Sequence, residues 1–346
     1  MSLFDMGAEF DLERIGQMLG RKSERAPLVS PSPTPTYAPV PRPVEVRFSV
    51  EGTAKAQVEV RSHAVGVVVV RIRMPFEVAS LAELSELAPQ LRVRGQPLEK
   101  AAELWFGELQ PGLAAAVIEP YPGVVEPETY RVYCLTDADP AQTLGPSRET
   151  VAALIAGETP GSLVPAIVDS ALKHTLRYYK DDAVVVGWDN AVVVARPGRY
   201  EDVLDTMELA NLELLEFRTY DDYLDRRLDE SFAALDRLWA PGGLFRSARG
   251  ALKDISELRV DFARLTDSLH DTGKLFGEWY IAKLHSRMRD AFHLSSWERS
   301  VAGKMQTLED MFHLAEEEAN HRRSLILEMM IVALFILDLA LLFVLK

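Results

Sequence analysis

The sequence predicts an α+β fold in three parts: a β-rich α/β layer on the N-terminal side, long antiparallel helices forming a coiled-coil stalk, and one C-terminal transmembrane helix. Three observations carry this expectation. Between residues 44 and 199 β-branched runs with period 2 are interspersed with stretches of helical period. After Gly198 the period-2 signal stops, and apolar residues recur three and four apart. From residue 325 to residue 345 every residue is apolar except Glu328 and Asp338, and at about 1.5 Å rise per residue such a run reaches roughly 30 Å, the thickness of a bilayer's hydrocarbon core.

Residues 1–22 hold a short amphipathic pattern, Phe10, Ile15, Met18 and Leu19, closed by Gly20, and predict a short N-terminal helix. Residues 23–43 include SPSPTPTYAPVPRP, whose prolines enforce an extended, polyproline-like linker. The α+β domain follows at 44–199. VEVRFSV and AQVEVRS alternate as half-buried strands do, and VGVVVVRIRM is continuous enough in β-branched residues for a central strand. Helices are expected over 76–91 and within 96–121, a strand over 130–135, and short helices over 149–156 and 164–174. Strands over 183–188 and 191–195 meet through Asp189 and Asn190 as a tight hairpin.

Residues 200–324 form the predicted stalk. Leu224, Leu228, Phe232, Leu235 and Leu238 mark a long helix ended by Pro241-Gly242-Gly243. A second helix uses Leu252, Ile255, Leu258, Phe262, Leu265 and Leu269, and a third Phe276, Tyr280, Leu284 and Met288. Ser295 and Glu298 have the spacing of a capping box. From there the stripe Val301, Met305, Leu308, Phe312 continues into residues 325–346. That stripe is the predicted self-association surface.

The net charge of −14, with no basic cluster, argues against nucleic acid as a direct partner. Cys134 is the only cysteine, which excludes an intramolecular disulfide, fits a reducing compartment and suggests a buried inert thiol. Asp5, Glu9, Asp11 and Glu13 make residues 1–22 unlike a signal or transit peptide. With His321, Arg322 and Arg323 just before the apolar run, the expectation is a single-pass tail anchor in a bacterial cytoplasmic (inner) membrane, the N-terminal part in the cytoplasm. Asp338 would then sit near mid-bilayer at a cost of about 2.5–3.5 kcal/mol, which argues for association between helices.

One constellation has metal-ligand types at helical spacing: His313, Glu317 and His321 at i, i+4 and i+8, with Glu318 three before His321 as in di-iron bundles. No second Glu-x-x-His stands on a facing helix, so a solvated acidic face is the plainer account. Phosphate-binding loops, Gly-x-Ser-x-Gly and His-Glu-x-x-His are absent from the sequence. The expected function is therefore a non-catalytic, homo-oligomeric membrane scaffold without cofactor, serving an unidentified protein partner. Two alternatives stand beside it: a channel or transporter component using Glu328 and Asp338, and a metal-dependent enzyme using His313, Glu317 and His321.

HRRSLILEMMIVALFILD, residues 321–338, places Asp338 ten residues after Glu328, and DTGKLFGEWYIAKLHSRM (271–288) precedes WERSVAGKMQTLEDM (297–311) as in a helical hairpin. Over 271–346 the chain resembles the "required for meiotic nuclear division" family, with Met329 where that family has Trp and Asp338 where it has Glu. The resemblance implies an α+β region, a long hairpin, a C-terminal membrane helix and an oligomer. It implies no catalytic residues.

Overall fold

The computed structural model describes residues 1–18, 45–50, 56–120, 125–136, 138–195, 200–239 and 279–344. The chain divides into two compact units, Met1–Thr219 with Ser268–Trp297, and Tyr220–Asp267 with Glu298–Lys346.

In the first unit, β1 (Ser2–Asp5), β3 (Glu45–Val50), β4 (Gln57–His63), β5 (Val67–Arg73) and β9 (Glu128–Thr129) form an antiparallel sheet in the order β3-β4-β5-β1-β9. A second sheet runs β10 (Arg131–Leu135), β13 (Asn190–Val194), β12 (Ala183–Val186), β11 (Thr175–Leu176), with only the β10–β13 pair parallel. Two minor ladders join β2 (Gly7–Phe10) to β8 (Val117–Pro120) and β6 (Arg92–Val93) to β7 (Gln96–Pro97).

Alternation along the strands decides what each face meets. Val68 and Val70 of β5 join Val58 and Val60 of β4 in a core with Phe4 and with Trp105 of α3 (Leu98–Leu113), while α1 (Leu12–Met18) adds Ile15. The opposite face carries Val67 and Val69, also fully buried, and the guanidinium of Arg71. The second sheet packs Val185, Val192 and Val194 against α2 (Leu81–Leu87) and α5 (Arg148–Ala156) through Leu84, Val151, Leu154 and Ile155. Ser80 caps α2 by accepting from the Glu83 N–H at 3.2 Å, and Glu83 accepts in turn from the Ala79 N–H at 2.7 Å. Gly157, at φ +70°, closes α5 in the left-handed conformation. Two further helices are α4 (Pro140–Leu144) and α6 (Pro165–Ala171).

The β4–β5 hairpin turns through Gly66, whose φ is +86°; a Cβ there would stand 1.8 Å from the Gly7 carbonyl oxygen. Gly66→Ala is therefore expected to destabilise the protein by at least about 1–3 kcal/mol, since strain and backbone overlap act together. Urea titration of the variant checks this, and a change under 0.5 kcal/mol on the scale of ordinary surface substitutions would contradict it.

Three long helices complete the described chain: α7 (Glu201–Trp239), α8 (Trp279–Ala291) and α9 (Leu294–Val344). From Val203 to Phe217 α7 is buried around almost its whole circumference, polar Thr206, Glu208, Asn211, Glu213 and Glu216 included. In the second unit, Lys304 of α9 pairs with Asp221 at 2.8 Å and Asp225 at 2.6 Å of α7, and the Ser300 hydroxyl donates to Asp221 at 3.0 Å. Val301, Met305, Leu308 and Met311 are buried there within the single chain.

Several expectations are corrected. Residues 1–22 are not merely a short helix: Ser2–Asp5 is an inner strand of the five-stranded sheet, and α1 begins only at Leu12. Four residues are too few to display a period, and the pairing that fixes them, Ser2 to Val70 through Asp5 to Val67, is distant in sequence. The predicted stalk boundary at 200 also moves, because α7 belongs to the α+β unit as far as Thr219. α9 starts at Leu294, after His293 in a left-handed conformation (φ 51°), so Ser295 lies inside the helix and not at its cap. The linker at 23–43 and the helix over 252–269 fall outside the described residues.

The largest correction concerns the C-terminus. Among the described residues no helix is long and apolar enough to cross a membrane, which overturns the transmembrane helix of 325–346, the tail anchor and the placement in a bacterial cytoplasmic membrane. The described apolar side chains run from Leu325 to Leu337 with Glu328 among them. The side chains of Phe312, Arg322, Arg323 and Asp338 lie outside those described.

Candidate functional site

The chemistry of the first unit concentrates where α7 crosses the five-stranded sheet. The odd positions of β4 and β5 put Glu59, Arg61, His63, Arg71 and Arg73 on one face, and α7 answers with Glu201, Asp205 and Glu208, three and four apart and so on one side of the helix. Glu208, 2% exposed, accepts from Arg71 Nε, bonds His63 Nε2 at 2.8 Å and meets Arg61 Nη1 at 3.5 Å. Asp205 takes Arg61 Nη1 and Arg71 Nη2, each at 2.7 Å. Arg73 makes a two-pronged pair with Glu201 at 2.6 and 2.8 Å. Burial alone would raise the Glu208 carboxyl, but Arg71, His63 and Arg61 together hold it well below the usual carboxylate range.

On another side of α7, Glu213 bonds His285 Nε2 at 2.8 Å and accepts from Arg289 at 2.6 Å, both on α8. A third acidic group has no cation. Among the described residues Asp5 Oδ2, Glu216 Oε1 and the Thr219 hydroxyl are buried without a well-formed hydrogen bond, although the Thr219 hydroxyl lies near enough to Asp5 to favour its ionised form in part. Burial pushes Asp5 up to about 7, and burial together with Asp5 pushes Glu216 well above the ordinary glutamate value.

Beside the first network lies a cleft of about 540 Å³. Alternate positions of β10 and its end, Val132, Cys134 and Thr136, line it, as do Arg71 and Arg73 of β5 and Tyr200 before α7. A neighbouring cleft of about 340 Å³ shares Ile72, Met74, Phe76 and Val132 with it and includes the Arg131–Glu99 ion pair. Burial raises the Cys134 thiol to about 12, leaving it protonated and a poor nucleophile at neutral pH.

Against known proteins, residues 1–201 match the family described as "Uncharacterized protein MJ0711, N-terminal domain". The chain belongs to that family. A relative, the uncharacterized protein MJ0711 of Methanocaldococcus jannaschii, is 25% identical over 215 residues, which cover 62% of this chain and 65% of its own length. No solved structure matches. These matches correct the resemblance to the "required for meiotic nuclear division" family, to which neither leads. That resemblance rested on 271–346, outside the family's matched region, and on two acids spaced in an apolar run, a pattern with little information.

The MJ0711 region holds all the arginines of the first network, Asp5 and nearly the whole cleft, whereas Asp205, Glu208, Glu213 and Glu216 follow it on α7. The residues singled out from sequence do not converge on any of this. His313, Glu317, His321 and Glu328 are exposed on α9, and among the described residues no group of three or more His, Cys, Asp or Glu side chains could hold a metal ion. Sequence reasoning missed the networks because buried and solvated acids read alike on a helix. The available signal was Arg61, Arg71 and Arg73 standing at alternating positions inside valine-rich strands.

Proposed function

We propose that the chain is a non-catalytic, self-associating protein in which α9 packs against copies of itself. One observation carries this reading: Leu325, Ile326, Leu327, Met329, Met330, Ile331, Val332, Leu334, Phe335, Ile336 and Leu337 are all 46–73% exposed. Being nearly consecutive they surround the helix, and a helix apolar on every side belongs inside an assembly, not in water. A single flat partner covers one side only, so a bundle of identical helices suits the geometry better. The stripe Val301, Met305 and Leu308 is already used within the chain and leaves this later segment as the contact. The net charge of −14 supports protein over nucleic acid as partner.

Light scattering on the full-length protein tests this. Wild type should give one defined multiple of the 38.7 kDa chain mass, and the double variant Ile331→Asp, Phe335→Asp should give the monomer. A monomeric wild type, an undefined spread of masses, or a variant that keeps the wild-type mass each refutes the reading.

A further inference from the structure

We propose that the 540 Å³ cleft beside β5 and β10 binds a small organic carboxylate with an apolar chain. The first reason is Arg71. It is 3% exposed; its Nε and Nη2 are engaged by Glu208, Asp205 and the Leu204 carbonyl, and its Nη1 has no partner. A buried donor left without an acceptor costs roughly 1–3 kcal/mol. Arg71 lines the cleft, so a ligand oxygen that Nη1 meets after a small shift of the side chain removes that cost.

The lining supplies the second reason. Arg71, Arg73, Gln57, Thr136 and Tyr200 bring donors to this cleft, and no Asp or Glu lines it. The acids that balance the two arginines are Glu201, Asp205 and Glu208 of α7 and, for Arg73, also Glu59 of β4 at 3.7 Å; among the described residues none of them lines the cleft. Cys134 adds no negative charge. A carboxylate oxygen thus meets donors without an opposing anion, and its bond to a guanidinium is charge-assisted. The third reason is the remainder of the wall, where Ile72, Met74, Phe76, Val132 and Leu204 suit a hydrocarbon chain and give a bare inorganic anion nothing. The volume falls in the roughly 300–1,000 Å³ range of small-molecule sites.

Octanoate, 1-octanol and inorganic phosphate, each titrated by calorimetry into the full-length protein, test the site and the ligand class together. Octanoate should bind one saturable site at least about tenfold more tightly than 1-octanol, the difference a charge-assisted bond provides, and phosphate should not displace it. Cys134→Phe places a ring in the cleft and should abolish octanoate binding with the circular dichroism spectrum unchanged. Arg71→Lys should weaken it at least about tenfold through loss of the planar fork. Octanoate binding indifferent to Cys134→Phe would come from the apolar surface of α9 and would overturn the site. Equal affinity for 1-octanol, or displacement by phosphate, would overturn the ligand class, and the absence of saturable octanoate binding would overturn both.

Discussion

Replacing Glu208 by alanine is expected to lower the unfolding free energy by about 3–5 kcal/mol, the cost of breaking a buried ion pair from one side. Glu208 is a shared acceptor for Arg71 and His63, with Arg61 at 3.5 Å, and all four side chains are at most 8% exposed. Removing it leaves the buried Arg71 guanidinium with Asp205, an acid it already shares with Arg61, while Arg61 keeps Glu59 as well. Glu201→Ala, on the same helix, is the internal comparison. The Glu201–Arg73 pair is 41% and 35% exposed, so water replaces the lost partner and about 0–1 kcal/mol is expected. Urea unfolding of both variants decides the matter: equal losses would mean that burial is not what makes the Glu208 network matter. The same network sets the acid limit. A carboxyl held low in the folded state contributes stability that is complete above the ordinary glutamate range and disappears as pH falls through the depressed value.

How much of this was visible in the sequence depends on the kind of signal each element carries. The strands β3 and β4 were legible because apolar–polar alternation states both the element and its faces, and β5, β12 and β13 because continuous β-branched runs state a strand buried on both faces. β1 was not, since Ser2–Asp5 takes its identity from Val67–Val70 across the sheet. α7 was legible as a helix, yet its environment was not. Glu208, Glu213 and Glu216 look like solvent-facing acids until their partners are known, and those partners stand some 140 residues earlier for Glu208 and about 70 later for Glu213. The apolar run at the C-terminus was a plain signal with more than one physical outcome. Burial among helices and burial in lipid both demand apolar side chains, and composition alone does not separate them.

The pair Asp5 and Glu216 leads to the second large effect, of opposite sign to that of Glu208. Stability is expected to fall as pH rises from about 5 to 8. Asp5 has an ordinary value of 3.8 and is raised to about 7 in the fold, and Glu216 is raised as well. Between those values the folded chain keeps protons that the unfolded chain releases, so each step upward in pH favours unfolding. The stabilising contribution is present in full at low pH and is lost as pH climbs through the folded value. At ~1.4 kcal/mol per unit, Asp5 alone accounts for up to about 4 kcal/mol between pH 3.8 and about 7, of which about 3 kcal/mol falls above pH 5. Asp5→Asn keeps the shape and the acceptor for the Gly7 N–H, 3.2 Å from Asp5 Oδ1 in the wild type, but cannot ionise. The variant should flatten the slope of melting temperature against pH and be the more stable protein at pH 8, while resembling wild type at pH 5. A wild-type melting temperature that is level from pH 5 to 8, or a slope that survives in Asp5→Asn and in Glu216→Gln alike, would show that these two buried carboxyls do not hold the proton assigned to them.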